Sequence, residues 1–354
     1  MVELLPFTPE IAERTRSIYD RVARVIPPAE WPVHAPYVDA INRLKLERNA
    51  IVLAHNYQTP EIYHGVADIV GDSLQLAREA QRAQADVIVV CGVHFMGETA
   101  KILNPSRRVI VPDARAGCSL AASITAADVR ALRAQHPGVP VVTYVNTSAE
   151  VKAESDVCCT SSNAVRIVEA LGVPRVIMLP DEFLAKYVAA NTAVEIIAWA
   201  GHCEVHERFR GIDVAALRET EEGVVVIAHP ECPPDVIAAA DFAGSTSAMI
   251  DFVRERAPQR VVMLTECSMS DNVAAEFPNV AFVRPCNLCP HMKRISLQNI
   301  YEALLHDRYE VTIDAAVAQR ARGAVQRMID LPPPAVPARY DLIKARHHVD
   351  VELI

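Results

Sequence analysis

The sequence predicts an α/β fold built of three similar small αβα domains, whose parallel sheets are related by a pseudo-threefold axis. Three observations predict it. Cys118, Cys203 and Cys289 are spaced by 85 and 86 residues, and each follows an apolar run and a short loop. Apolar strand-like runs recur in pairs, and a hydroxyl-rich cluster opens a helical pattern between them. One period of roughly 83 to 90 residues at every level indicates an internal repeat.

The predicted domains are a helical extension, three repeats and a C-terminal segment, at residues 1–48, 49–118, 119–203, 204–290 and 291–354. In the extension, Thr8 as N-cap and Pro9 at the first helical position begin a helix over 10–26. A second helix over 38–48 leads into the first repeat.

Each repeat is expected to hold a first strand, a helix and a second strand before its cysteine-bearing loop. The first strands are predicted at 51–57, 141–146 and 224–231, and the second strands at 87–90, 176–179 and 261–264. The helix of the first repeat is predicted over 72–85. Beyond residue 290 we expect helices over 296–305 and 313–329, and then a loosely held tail over the last twenty residues.

Composition excludes several classes of protein. A formal net charge of −9 and the lack of a basic block with interleaved aromatics argue against nucleic-acid binding. No apolar run approaches the roughly 20 residues of a membrane span, and the N-terminus lacks a signal-peptide pattern. We therefore expect a cytoplasmic protein without a membrane partner, whose nine cysteines serve metal or thiol chemistry rather than disulfides.

Polar side chains follow the predicted first strands, where parallel sheets place ligand-binding loops. They are His55 and Tyr57 in the first repeat, Tyr144 and Asn146 in the second, and His229 and Glu231 in the third. A single such residue is more often structural, but a set drawn from three repeats offers proton donors, acceptors and a general base.

The hydroxyl clusters support two interpretations. Ser73, Thr160 and Ser245 stand where a helix begins, and each is an ordinary N-cap worth about 1 kcal/mol. A helix N-terminus is also a ready anion site, because its backbone N–H groups and its dipole both favour negative charge. Their common phase in the repeat leaves the two interpretations evenly balanced.

Three thiolates from three repeats favour a soft metal centre. A closed structural zinc site normally has four protein ligands, so three thiolates better match a four-iron cluster with one open iron, or a catalytic zinc. Spacing alone does not decide between these two. His206, three residues after Cys203, is placed to flank such a metal. A zinc- or cluster-dependent dehydratase and an electron carrier remain alternatives, although a carrier is expected to use four cysteines and no ring of polar groups.

Several motifs resemble the quinolinate synthase family over roughly residues 45 to 305. They are LAHNYQ (53–58), GDSL (71–74), GVHFMGETA (92–100), TYVNT (143–147), CTSSNA (159–164), GHCEVHE (201–207), HPEC (229–232) and CPHMK (289–293). The resemblance implies condensation of iminoaspartate with dihydroxyacetone phosphate to quinolinate, a precursor of NAD, with release of phosphate and water. It also implies a functional link to an L-aspartate-oxidising enzyme.

The resemblance further implies a 4Fe-4S cluster held by Cys118, Cys203 and Cys289. Cys286 lies close to the third ligand, which leaves some ambiguity there. The candidate catalytic residues are Tyr57, Glu231, His55 and His206. The substrate-binding residues implied by the resemblance are His55, Ser73, Phe95, Met96, Tyr144, Asn146, Ser161, His229, Glu231, Ser245 and Thr246.

Overall fold

A computed structural model describes residues 5–332 and 351–354 of the chain. The chain forms two compact units. The first unit consists of Met1–Ala116, Cys267–Asn279 and Pro290–Thr312. The second consists of Gly117–Glu266, Val280–Cys289 and Ile313–Ile354. The predicted tail lies mostly outside the described residues, and the predicted domain boundaries stay predictions.

Three parallel sheets carry the fold. The first contains β1 Ala50–His55, β2 Ile69–Gly71, β3 Val87–Cys91 and β4 Arg108–Ile110. The second contains β5 Val141–Tyr144, β6 Val157–Cys159, β7 Arg175–Leu179 and β8 Glu195–Ala198, and the third β9 Val225–Ala228, β10 Phe242–Ala243, β11 Arg260–Leu264 and β12 Ala281–Val283.

The strand order is the same in all three sheets. The first runs β2-β1-β3-β4, the second β6-β5-β7-β8 and the third β10-β9-β11-β12, and every pairing is parallel. This identity of topology confirms the predicted α/β fold of three similar sheets. The pseudo-threefold axis stays a prediction.

Helices alternate with these strands. They are α1 Pro9–Val22, α2 Trp31–Glu47, α3 Pro60–Tyr63, α4 Ser73–Arg82, α5 His94–Leu103, α6 Ser119–Ala122, α7 Ala126–Gln135, α8 Ala149–Ala153, α9 Ala164–Ala170, α10 Glu182–Asn191, α11 Gly211–Thr220, α12 Pro234–Ala239, α13 Thr246–Arg256, α14 Cys267–Glu276, α15 Leu297–His306 and α16 Ala315–Asp330. Short 3₁₀ turns lie at His206–Arg208 and Met292–Arg294.

The terminal helices differ slightly from their predicted bounds. Thr8 caps α1 and Pro9 opens it, as predicted, but α1 ends at Val22, where the chain turns back onto its carbonyl. Helix α2 begins at Trp31, ahead of the predicted residue 38, and it accommodates Pro36 internally. Glu352–Leu353 forms β13, which extends the second sheet beside β8, so the last residues of the predicted tail are a strand.

Fully buried apolar strands explain why the site residues cluster at strand ends. The third sheet packs Val226, Ala228 and Val262 into one apolar core, and the second packs Val141, Ile177 and Ile197 into another. Because the strands within a sheet are parallel, their carboxyl ends lie on one edge. Polar side chains in the loops at that edge are therefore positioned by the buried strands that precede them. None of the helices in the described residues is long and apolar enough to cross a bilayer.

Candidate active site and metal centre

The second unit gathers the largest group of predicted site residues. Tyr144 ends β5, and Asn146 follows it in the loop to α8. His229 and Glu231 lie in the loop after β9, and His206 opens the 3₁₀ turn that follows β8. Tyr144, His206, His229 and Glu231 are each less than 5% exposed. These side chains therefore interact in a setting from which water is largely excluded.

Both oxygens of the Glu231 carboxylate are paired. The Tyr144 hydroxyl donates a 2.5 Å hydrogen bond to Oε1, and Nδ1 of His206 lies 2.8 Å from Oε2. Burial alone raises a carboxyl pKa, but His206 and His229, with the bonds from His206 and Tyr144, bring the pKa of Glu231 below its usual range. Glu231 is therefore an ionised, buried hydrogen-bond acceptor.

His206 connects this carboxylate to a candidate ligand. Its Nδ1 is also 3.2 Å from Sγ of Cys203, and its Nε2 is 3.0 Å from the hydroxyl of Thr265. Its ring stacks on that of His229, with ring centroids 4.7 Å apart and planes inclined by 24°. The imidazole is thus fixed by contacts on both nitrogens and on one face.

The three candidate ligand loops are tied to one another. The Ser119 hydroxyl, next to Cys118, donates to the carbonyl of His202 and accepts from the amide of Glu204, each at 3.2 Å. Asn287, two residues before Cys289, donates through Nδ2 to the Val205 carbonyl at 3.3 Å. The loops that carry the three cysteines are therefore held side by side within the second unit.

The pKa values of the Cys118 and Cys203 thiols are shifted by burial and by the charges of nearby groups. Burial, together with negative charge on Glu231 and Cys289, raises the pKa of the Cys118 thiol to about 12. Burial, followed by the charges of Glu231 and Cys118, raises the pKa of Cys203 well above its usual value. These shifts favour neutral thiols, and a bound metal cation would be needed to stabilise the thiolate forms that ligate it.

Cys289 and its neighbour Cys286 differ in state. Cys118, Cys203 and Cys289 are free thiols, whereas Cys286 is engaged in a disulfide. The expectation of metal or thiol chemistry rather than disulfides is therefore wrong for Cys286. Of the two, Cys289 is the one outside a disulfide.

A second donor set overlaps the first. One ligand atom each from Cys203, His206 and Glu231 lie within 4.8 Å of one another. Sulfur, nitrogen and oxygen donors of this kind are typical of a zinc site. In this structure, however, His206 Nδ1 is already directed at Glu231, so a metal ion held by all three residues would have to break that pair.

The hydroxyl clusters divide between capping and other contacts. Ser245 is the N-cap of α13 and accepts from the amide of Ala248 at 3.3 Å, as the capping interpretation expects. In the other two repeats the N-caps are Asp72 and Asn163, one residue before Ser73 and three after Thr160. Ser161 lies 3.2 Å from Nε2 of His229, and Thr246 is buried in the first turn of α13.

The remaining predicted residues lie in the first unit. His55 ends β1, and its Nδ1 accepts from the Tyr57 amide at 3.2 Å, while the two rings meet edge to face at 4.6 Å. The Tyr57 carbonyl accepts a 2.6 Å hydrogen bond from Lys293. Ser73 is the first residue of α4, and Phe95 and Met96 are buried in the first turn of α5.

The sequence did not point to two buried residues that follow β7 and β11, the second strands of their repeats. Asp181, two residues after β7, is 1% exposed, and its Oδ2 has no hydrogen-bond partner among the described residues. Thr265 directly follows β11 and is fully buried against His206. The signal was available, because the carboxyl end of every parallel strand is a candidate position. The polar residues predicted for the site follow the first strands of the repeats, whereas Asp181 and Thr265 follow β7 and β11.

A buried Glu–His pair beside clustered thiols, on parallel strand ends, is typical of a metal-dependent α/β enzyme. Comparison with known proteins identifies which one: the family model described as Quinolinate synthetase A protein matches residues 39–330. The chain belongs to the quinolinate synthase family, and it is an enzyme. This confirms the resemblance seen in the sequence.

Individual relatives agree over nearly the full chain. The quinolinate synthase of Caulobacter vibrioides is 62% identical over 352 residues, which cover 98% of this chain and 96% of that protein. Quinolinate synthase 2 of Mesorhizobium japonicum is 68% identical over 312 residues, covering 88% and 96%. The Agrobacterium fabrum enzyme is 66% identical over 315 residues, covering 89% and 91%. The family implies a metal cofactor.

Proposed function

We propose that this enzyme condenses iminoaspartate with dihydroxyacetone phosphate to quinolinate, with release of phosphate and water, on the route to NAD. Its substrates are then small anions, and an L-aspartate-oxidising enzyme supplies the first of them. The mutual electrostatic influence of three partly buried thiols, none of them in a disulfide, beside a Glu–His pair carries this proposal.

The proposed cofactor is a 4Fe-4S cluster on Cys118, Cys203 and Cys289. The donor set fits it, because three thiolates from separate loops leave one iron without a protein ligand. When bound, the cluster supplies a Lewis-acidic iron that polarises a substrate oxygen. Supporting contacts hold the loops in place, including the Cys289 amide, which donates at 3.4 Å to Oε1 of the fully buried Glu266.

The proton chemistry is assigned to Glu231 and its partners. An ionised carboxylate accepts hydrogen bonds only, so Tyr144 and His206 Nδ1 each carry a proton toward it. Glu231 is the proposed acceptor of a substrate proton, and the two neighbours keep that carboxylate oriented. Exclusion of water strengthens each of these charge interactions.

Binding of the anionic substrates is assigned to neutral donors and an amide. Ser161 and His229 form one polar pair, and Ser245 and Thr246 lie at the N-terminus of α13, where the helix dipole favours negative charge. The buried Oδ1 of Asn146 has no hydrogen-bond partner among the described residues. An N–H or O–H of a substrate is the proposed partner for that oxygen. This local arrangement allows anion binding despite a net charge of −9.

The alternative cofactor is zinc, held by Cys203, His206 and Glu231. Iron, acid-labile sulfide and zinc content of anaerobically purified protein separate the two assignments. We expect about four irons and four sulfides per chain, as the cluster stoichiometry requires, together with quinolinate formation from the two substrates. Stoichiometric zinc without sulfide in the active protein would reject the cluster. Loaded protein that forms no quinolinate would reject the reaction.

A further inference from the structure

Thr265 is a fully buried residue to which neither the sequence nor the comparisons assign a role. It directly follows β11, and its amide donates to the Met263 carbonyl at 3.0 Å, which fixes the backbone in a tight turn. Its hydroxyl lies 3.0 Å from Nε2 of His206. A hydroxyl both donates and accepts, so the identity of the donor depends on the other side of the imidazole ring.

The contacts of Nδ1, the other ring nitrogen of His206, determine whether Thr265 or Nε2 is the donor. Nδ1 lies 2.8 Å from Oε2 of Glu231, whose other oxygen accepts from the Tyr144 hydroxyl, and 3.2 Å from Sγ of Cys203, so both neighbours of this nitrogen are acceptors. Nδ1 must therefore carry the hydrogen. When Nδ1 carries the only ring hydrogen, Nε2 is an acceptor, and the Thr265 hydroxyl is its donor.

The same Nδ1–H group faces a sulfur. Sγ of Cys203 lies 3.2 Å from Nδ1, within the usual distance for a hydrogen bond to sulfur, so the proton is shared between Glu231 and Cys203. A hydrogen bond at Nε2 restricts rotation of the ring and so fixes the direction of the Nδ1–H group. Thr265 provides that contact, on the ring nitrogen opposite the one that faces Cys203.

We infer that Thr265 is a positioning residue, which holds His206 in the Nδ1–H tautomer so that it donates a hydrogen bond to the ligating sulfur of Cys203. This inference rests on the proposed function, because it requires that Cys203 bind the cluster. Hydrogen bonds to ligating sulfurs raise the reduction potential of iron–sulfur clusters, since they stabilise the more negative reduced state. Weakening the bond should therefore make the potential more negative.

The test measures the midpoint potential of the cluster by anaerobic spectroelectrochemistry in the wild type and in three variants. Thr265→Val keeps the side-chain shape and removes the hydroxyl, whereas Thr265→Ser keeps the hydroxyl. His206→Leu removes the proposed donor altogether. We expect the most negative potential in His206→Leu, a shift in the same direction in Thr265→Val, and no shift in Thr265→Ser. Thr265→Ala provides a second variant without the hydroxyl if Thr265→Val does not fold.

Each outcome has a separate meaning. A shift in His206→Leu with none in Thr265→Val or Thr265→Ala would remove Thr265 from the arrangement. No shift in any variant would overturn the hydrogen bond from His206 to the ligating sulfur, while the proposed function would stand. A wild-type protein that binds no cluster after anaerobic reconstitution would overturn the proposed function and this inference with it.

Discussion

The Tyr144 hydroxyl and the Glu231 carboxylate form a 2.5 Å hydrogen bond that joins the second sheet to the third within one compact unit. Tyr144 ends β5 and Glu231 follows β9, which are the equivalent first strands of two repeats. The repeat therefore supplies equivalent positions, and different residue types at these positions complete one network.

Removing the hydrogen bond between Tyr144 and Glu231 should shift the acid limb of the pH profile of kcat/KM. Tyr144→Phe withdraws a hydrogen bond that lowers the pKa of Glu231, so that pKa should rise. Because Glu231 must be ionised to accept a proton, the acid limb of kcat/KM should move to higher pH. We also expect kcat to fall by about 10- to 100-fold, measured by quinolinate formation with the cluster intact.

The matched control for this change is Tyr187→Phe. Tyr187 lies in the same unit, and its hydroxyl bonds only weakly, at 3.4 Å, to the Ala243 carbonyl. This variant should keep the wild-type profile. An unchanged acid limb in Tyr144→Phe would show that the bond does not tune Glu231.

Asp181 should make stability depend on pH. Burial, then the neighbouring charge of Glu231, raises the pKa of Asp181 well above its usual value, and Glu182 adds to this effect. Glu231 is then ionised, whereas the Asp181 carboxyl is neutral. The folded state then binds a proton that the unfolded state releases above about pH 4. Stability should fall as pH rises from that value through the raised pKa.

Asp181→Asn tests this dependence. Asn keeps the N-cap, in which Oδ1 accepts from the Leu184 amide at 2.6 Å, and it has no proton to lose. The free energy of unfolding in urea, measured at about pH 5 and about pH 8, should fall less in this variant than in the wild type. Asp314→Asn, at the exposed N-cap of α16, controls for the exchange itself. Parallel pH dependences in Asp181→Asn and wild type would contradict the neutral carboxyl.

The sequence predicted most of the fold because its repeat is marked by strong local signals. Long apolar strands such as β3, β7 and β11 lie within a residue or two of their predicted positions. The short edge strands β2 and β10 were not predicted, because two or three residues carry too little periodicity.

The site was predictable in its residue types but not in its pairings. Cysteine spacing pointed to Cys203, and strand-end position pointed to Glu231. The contact of His206 with Thr265 joins residues 59 positions apart, and no local pattern encodes it. Likewise, whether a hydroxyl caps a helix depends on backbone geometry, which is why Asp72 rather than Ser73 caps α4.

The anion-binding hydroxyls predict a specific change in KM. Ser161 contacts His229 and does not cap a helix, so Ser161→Ala should raise KM for dihydroxyacetone phosphate several-fold while thermal stability changes little. Ser148→Ala is the matched control, because Ser148 is the N-cap of α8 and accepts from the Val151 amide at 3.3 Å. That control should lower the melting temperature and leave KM unchanged. An unaltered KM in Ser161→Ala would return Ser161 to a structural role.

Tyr57 remains the proposed general acid–base residue of the first unit. Tyr57→Phe keeps the ring packed edge to face on His55 and removes only the hydroxyl. We expect quinolinate formation to fall by roughly 10²-fold or more, with the visible spectrum of the cluster unchanged. Tyr19→Phe offers a control in the same unit, because Tyr19 lies on α1 and its hydroxyl makes only a 3.4 Å bond to the Ile26 carbonyl. A near-normal rate in Tyr57→Phe would exclude the catalytic role.

The third cluster ligand can be assigned by replacing Cys289 and Cys286 separately with serine. Cys289 lies 86 residues after Cys203, which matches the 85 from Cys118 to Cys203, and it is a free thiol whose charge acts on Cys118. Cys286 lies 83 residues after Cys203 and is engaged in a disulfide. Cys289→Ser should abolish iron binding and quinolinate formation, because one of three thiolates is lost. Cys286→Ser should retain the visible absorption and the iron content of the wild type. The reverse pattern would move the ligand to Cys286, and retention of the cluster in both variants would reject ligation by three thiolates.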